Sequence, residues 1–219
     1  MSIRHHCPPH YTPLEYIEKD ETGVQYIDTL FVPNQNTRVV CEFMETKYPS
    51  DPTSGYLYAY GSRWIWADRM FSLPISPNRI DNIYFAYGTQ GRNITLYPLN
   101  IRYNSDQNKR NAVLRNGTNI VFSAYFNSQS FTCRFTMFLF NCHSHNTGWG
   151  GADTYECIGD GKLRMYYCQI YNNGALIRDY VPMLRSDGKA GLYDLCGSIC
   201  PLTNTPFYTN AGTGSFLFG

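Results

Sequence analysis

Charge is scarce in this chain, and neither sign prevails. Lys and Arg number 18, Asp and Glu 17, for a formal charge of +1, and only 16% of the 219 residues are charged. So even a balance supplies no field that tracks phosphates, which argues against a nucleic-acid partner. Long apolar runs are missing as well. No window approaches the roughly 18 apolar residues of a spanning helix, so membrane insertion is not expected. No apolar stretch follows Arg4, so no secretory leader is recognised. The expectation is a chain folded in a cytoplasm, or one whose leader has been removed. Helical periodicity is almost absent, and Ala, Leu, Glu and Lys are too few for a helical bundle. Cysteine is modest: eight residues (Cys7, Cys41, Cys133, Cys142, Cys157, Cys168, Cys196, Cys200) fall well below the density of a disulfide scaffold. Cys41, Cys133 and Cys168 sit inside apolar strand-like runs, where a free thiol behaves as a small buried hydrophobe.

Aromatic residues are abundant, at 16% with 19 Tyr and 13 Phe, and exclude intrinsic disorder. They recur with period 2. Val39, Cys41 and Phe43 alternate with Arg38, Val40, Glu42 and Met44. Ile120, Phe122, Ala124 and Phe126 alternate with Val121, Ser123 and Tyr125. Phe131, Cys133, Phe135, Met137 and Leu139 read as one face of a long strand. A sheet with one face on a core requires this pattern. From Leu163 to Tyr171 both phases are apolar, which predicts a strand covered on both sides. The shift of phase at Pro98 predicts a bulge or an edge strand. Asn116-Gly117, between two apolar runs, predicts a hairpin with a type I′ turn. Asn172-Asn173-Gly174 and Ser186-Asp187-Gly188 mark two later turns. About a dozen short strands in a chain of this length predict one all-β domain, a two-sheet antiparallel β-sandwich or jelly roll, over 11–219. Residues 1–10, stiffened by Pro8-Pro9, are expected to form an extended arm.

Several stretches carry a more specific likeness. Tyr11-Thr-Pro-Leu-Glu-Tyr-Ile17, Gly23-Val-Gln-Tyr-Ile-Asp-Thr29 and Asn36-Thr-Arg-Val39 open the chain. Gly161-Lys162, Cys168-Gln-Ile-Tyr171, Gly174, Ile177-Arg-Asp-Tyr-Val-Pro182, Asp187-Gly188, Gly191-Leu-Tyr-Asp-Leu195 and Phe207-Tyr-Thr-Asn-Ala-Gly-Thr-Gly-Ser-Phe216 close it. Together they resemble a concanavalin A-like, laminin-G-like jelly-roll domain, a class common in bacteriophage structural proteins and gut bacterial surface proteins. From about 45 to 155 the match is mainly one of strand rhythm. The resemblance implies two antiparallel sheets of six or seven strands with the chain ends paired, in a class whose members mostly bind or scaffold. Cys196-Gly-Ser-Ile-Cys200-Pro-Leu-Thr-Asn-Thr-Pro206 is an insertion where such sequences have a short turn. It is read as a longer surface turn, with a contact loop as the alternative.

No catalysis is expected. Glycoside hydrolysis needs paired carboxylates roughly 5–10 Å apart, and the Glu-x-Asp-x-Glu run of glucanases on this fold is missing. The densest acidic run, Glu15, Glu18, Asp20 and Glu21, reads as a solvated connection. There is no Gly-x-Ser-x-Gly elbow. Metal has one weak candidate set, Cys142, His145 and Cys157, whose spacing fits no zinc pattern well, so neither metal nor cofactor is expected. Carbohydrate is the sharpest idea, because sugars are held by aromatic faces and by planar amides, carboxylates and guanidinium groups. The candidates are Asn146, Trp149, Asp153 and Tyr155 in a glycine-rich stretch, and Trp66 and Arg69 beside Trp64. Burial in the core and a protein–protein interface are the competing readings of these aromatics. The functional expectation is a lectin-like or adhesive module without catalysis, assembled in a host cytoplasm as a bacteriophage decoration, fibre or tail protein. Its partners would be a glycan or cell-surface polysaccharide and other virion proteins, the latter through residues 1–10, with homo-oligomers allowed. A purely structural virion protein and a secreted bacterial carbohydrate-binding domain are the alternatives.

Overall fold

A computed structural model describes residues 8–21, 24–49, 57–64, 69–75, 82–95, 98–145, 153–155 and 161–219. They form 19 strands and no helix. In chain order these are β1 (Tyr11–Pro13), β2 (Ile17–Lys19), β3 (Ile27–Asp28), β4 (Thr37–Lys47), β5 (Leu57–Ser62), β6 (Met70–Ile75) and β7 (Asn82–Gly88). Then come β8 (Gln90–Thr95), β9 (Tyr103–Gln107), β10 (Asn111–Asn116), β11 (Asn119–Tyr125), β12 (Phe138–Leu139), β13 (His143–His145) and β14 (Asp153–Tyr155). The last are β15 (Lys162–Asn172), β16 (Ala175–Arg185), β17 (Ala190–Asp194), β18 (Phe207–Tyr208) and β19 (Leu217–Phe218).

Two sheets pack face to face as a β-sandwich. The larger, of eleven strands, runs β11-β10-β9-β4-β15-β16-β17-β18, with β1, β2 and β19 attached at its side. The smaller, of eight, runs β14-β13-β5-β6-β7-β8, with β3 and β12 beside β5. Pairing is antiparallel except for a single parallel contact, His143 with Ser62. The ends of the chain meet, since β19 pairs β2 and Glu15 N donates to Gly219 O. The counts exceed six or seven because two- and three-residue strands flank the long ones.

Alternation on the long strands sends one row inward. Val39, Cys41 and Phe43 of β4 are fully buried, as are Leu163, Met165, Cys168 and Ile170 of β15. Opposite them lie Leu57, Phe71, Leu73, Ile75, Ile83 and Phe85 of the smaller sheet. Rings close the gap between sheets: Phe85 stacks on Phe122 at 5.8 Å, and Tyr87 on Phe126 at 5.2 Å. The thiols buried here are inert; desolvation pushes Cys41 up to about 12. Cys41, Cys168, Cys196 and Cys200 carry free thiols.

Several local expectations are corrected. The alternation of 131–139 does not build a long strand, and only Phe138–Leu139 is paired as one. The segment instead clings to 29–35, with Cys133 N on Pro33 O and Met137 N on Phe31 O, and it turns at Phe140, whose φ is +65°. Strand β15 is not doubly covered: its apolar phase flips because Tyr166 is an extra residue in the pairing with β4. Among the described strands of six residues or more, β5 and β6 are buried at every position. Of the two readings around Pro98 the edge strand is the one seen: β8 is the edge of the smaller sheet, and residues 98–102 lie outside any strand before β9 of the larger.

The hairpin at Asn116-Gly117 forms, but its two loop residues are Gly117 and Thr118, and only Gly117 has positive φ. That is the pattern of a type II′ turn, with glycine in its first central place. The type I′ turn lies at Asn173-Gly174 instead, where both φ values are positive and Asn172 pairs with Ala175.

Residues 1–7 of the expected arm lie outside the described residues. Pro8–His10 form a turn held to the body, with Tyr11 N on Pro8 O and Ser186 N on His10 O. The acidic run is a solvated connection only in part, with Glu15 exposed and Asp20 and Glu21 beyond the end of β2. Glu18 sits on β2, buried, accepting from Arg164 Nε at 3.1 Å and from Thr46 Oγ1, while Glu15 meets Arg102 and Glu21 meets Lys47. Strand β2 lies beside β15, and that neighbour supplies the cation a buried carboxylate requires.

Candidate functional site

The outer face of the larger sheet is polar and aromatic rather than apolar. The row of β15 that points away from the core carries Tyr167, Gln169 and Tyr171. Cross-strand neighbours on β4 are Glu42, Val40 and Arg38, and those on β9 are Asn104 and Asp106. These side chains hold one another. Asp179 Oδ1 accepts from Gln169 Nε2 at 3.1 Å, and Gln169 Oε1 accepts from Tyr171 Oη at 3.0 Å. Arg38 lies over the Tyr171 ring, 5.1 Å from its centroid, and makes a two-pronged pair with Asp106 at 2.8 and 2.7 Å. The Asp106 carboxylate raises the Arg38 pKa further, so the guanidinium is a permanent charge of fixed orientation. Further along, Tyr167 bonds Asn104, and burial and nearby Glu42 push its phenol up to about 12.

At one end of this face is an open cavity of about 390 Å³, lined by Asn36, Thr37, Arg38, Asn108, Lys109, Arg110, Tyr171, Asn173 and Gly174. Three pieces of local chemistry shape it. Strand β4 begins after a turn in which Asn34 Oδ1 accepts from Asn36 N and Thr37 Oγ1 accepts from Asn34 N. The β9–β10 turn is closed by Asn108, whose side-chain oxygen accepts from the amides of Arg110 and Asn111 at 2.9 and 3.2 Å. The β15–β16 turn places Asn173 and Gly174 on the rim, with Asn173 N donating to Asn36 O. Tyr171, half-buried, is the aromatic wall. The amide side chains of Asn36 and Asn173 and the charged ends of Lys109 and Arg110 have no hydrogen-bond or ion-pair partner among the described residues.

Most residues singled out from the sequence lie elsewhere. Asn146, Trp149, Trp66 and Cys157 fall outside the described residues. Asp153 and Tyr155 are placed by backbone on β14, where they pair with His145 and His143. Arg69 precedes β6 in the same sheet, exposed, with φ +50° and its carbonyl accepting from Cys133 Sγ at 3.0 Å. The register Tyr155–His143–Ser62–Phe71 brings Tyr155 and Arg69 toward one end of the smaller sheet. Three strand spacings, about 14 Å, still separate β14 from β6.

The sulfur of Cys142 is packed under Gly61, where an added Cβ would lie 2.7 Å from it. His143 is sandwiched by Phe135 and Phe138 at 4.6 and 4.2 Å, with Nδ1 at 3.2 Å from Thr136 Oγ1. Among the described residues no three His, Cys, Asp or Glu side chains are placed to hold a metal. Trp64 follows the end of β5, with Arg134 over its ring at 3.8 Å.

Sequence reasoning missed the cavity. Its residues are ordinary Asn, Lys, Arg and Tyr from three separated stretches, and only the pairing of β9, β4 and β15 assembles them. Arg38 was visible merely in the outward phase of one strand, and Tyr171 as the end of a run whose two phases both read as apolar. The insertion 196–206 is a compact turn. Buried Asp194 accepts from the amides of Asp179 and Cys196 and from Ser198 Oγ, and Cys200 bridges Thr205. It leaves Ile199 and Leu202 exposed at 52% and 65%.

No protein-family model matches this chain, and no curated protein matches it. No helix among the described residues is long and apolar enough to cross a membrane.

Proposed function

We propose that this protein is a non-catalytic glycan-binding module on a concanavalin A-like β-sandwich, and that it serves as an adhesive component of a bacteriophage particle. The observation that carries the glycan reading is the cavity wall. Tyr171 is held at its hydroxyl by Gln169 and across its ring by an Arg38 that Asp106 orients, so an aromatic face is pre-organised beside unpartnered amides. A sugar ring needs a flat apolar face under its C–H groups and planar donors and acceptors for its hydroxyls. Fixing these groups before binding lowers the entropy cost of ordering them. The particle context rests on the resemblance of 11–39 and 161–216 to domains common in phage structural proteins.

The test is a glycan array probed with wild type and with Tyr171→Ala. Wild type is expected to retain at least one glycan class and the variant to lose it by about tenfold or more, as removal of a stacking ring does. An array on which wild type binds nothing refutes the glycan reading.

A second reading, a structural subunit without glycan affinity, is favoured by one observation. Ile120 and Tyr125 on β11, and Ile199 and Leu202 in the β17–β18 loop at the opposite edge of the same sheet, are each more than half exposed, two apolar spots that copies or neighbours would cover. Co-sedimentation with particles but no glycan retention would select it.

A further inference from the structure

We infer that the cavity between the β9–β10 and β15–β16 turns takes an anionic saccharide, one bearing a carboxylate or sulfate on the ring that faces Tyr171. This deepens the glycan reading and rests on it. The inference comes from charge placement. The chain as a whole is nearly neutral, with 18 basic and 17 acidic residues. The nine residues lining the cavity nevertheless include three cations and no carboxylate. One of the three is already satisfied, since Arg38 is held by both oxygens of Asp106. Lys109 and Arg110 are not: both are exposed, and neither has an ion-pair partner among the described residues. Two other carboxylates of this face, Asp179 and Glu42, are engaged by Gln169 Nε2 and by Arg102, and neither is part of the lining.

The two cations are also positioned. They are the central residues of the turn that Asn108 closes, with Asn108 N on Asn111 O at 2.9 Å and Asn108 Oδ1 holding the amide of Arg110. Their backbone is therefore fixed, and both residues line the same cavity as Tyr171. A neutral sugar offers these two cations no counter-charge, whereas an oxyanion pairs with them in charge-assisted hydrogen bonds. A flat polyanion such as duplex nucleic acid needs a broad basic surface, and a chain of net charge +1 with a walled cavity does not present one. The ligand that matches all three elements is a ring with an apolar face, hydroxyls and one acidic group.

The experiment is titration calorimetry of the full chain with three oligosaccharide probes of matched length. These are oligogalacturonate for the carboxylate, a chondroitin sulfate oligosaccharide for the sulfate, and a malto-oligosaccharide as the neutral control, with short duplex DNA alongside. At least one acidic probe is expected to bind tenfold or more tighter than the neutral one, more weakly as salt is raised. The variant K109Q/R110Q should lose about 10- to 100-fold for the acidic probe, with its melting temperature unchanged because both side chains are exposed. Tyr171→Ala should lose all three probes. The inference is overturned, with the glycan reading intact, if the neutral probe binds as well as the acidic ones or if K109Q/R110Q binds like wild type. It is also overturned if DNA binds as tightly as the acidic sugars, since that is charge without saccharide. If no saccharide binds, the inference and the glycan reading fall together.

Discussion

Removing the hydroxyl of Tyr60 tests how the two sheets are locked. Tyr60 on β5 is fully buried, and its hydroxyl donates at 2.7 Å to Oε1 of Gln107 on β9, itself fully buried. Gln107 passes the link on, with Nε2 donating to Ala86 O on β7 at 2.6 Å. One amide thus ties the larger sheet to two strands of the smaller. Tyr60→Phe keeps the ring and its packing on Phe71 at 6.0 Å, and leaves Gln107 Oε1 in a dry interior without a donor. A buried acceptor left unsatisfied costs about 1–3 kcal/mol, more than the bond itself contributes net. For a domain of this size about 2 kcal/mol lowers the melting temperature by roughly 4–8 °C. The double variant Tyr60→Phe/Gln107→Leu removes donor and acceptor together, so its loss should fall short of the sum of the two single losses by about 1 kcal/mol or more. Urea denaturation of the four proteins measures this, with the midpoint moving and the slope constant. The link points into the core, whereas the neighbouring Asp106 points outward to Arg38, so glycan affinity should not change in Tyr60→Phe. A loss under about 0.5 kcal/mol for Tyr60→Phe, or strict additivity in the cycle, would refute the view that this bond locks the sandwich.

Thiol labelling of the native protein, read by peptide mass spectrometry, should modify Cys196 first and leave Cys41 and Cys168 untouched until the protein unfolds. Cys196 is the exposed one of the six described thiols, and burial raises the pKa of the other two. Fast native labelling of Cys41 would contradict the fold at β4. Gly212→Ala should destabilise the protein by about 1–3 kcal/mol in the same urea assay, because a Cβ there would sit 1.8 Å from the Val24 carbonyl oxygen. A neutral Gly212→Ala would mean that the approach of the C-terminal segment to 24–26 is not tight.

The all-β class, the two-sheet arrangement and the inward row of β4 were legible because alternation with period 2 is a local property of each strand. The turns at Asn173-Gly174 and Gly188 were legible for the same kind of reason, since positive φ leaves few residue choices. The strand expected over 131–139 was not, because alternation also suits an extended segment whose hydrogen bonds go to one neighbouring loop. Nor was the fate of Glu18, whose burial depends on Arg164, 146 residues away in the chain.

The sequence by itself thus determined the apolar side of β4 and an all-β sandwich core stocked with Tyr and Phe. The near-neutral charge it also displayed turned out to be an average over an uneven surface. Only the tertiary structure decided where the charges fall. Antiparallel pairing sets Asp106 opposite Val40, within reach of Arg38, and leaves Lys109 and Arg110 at the tip of a turn with no carboxylate among the residues beside them. Strand register, a long-range property, makes that choice, and no short stretch of sequence contains it.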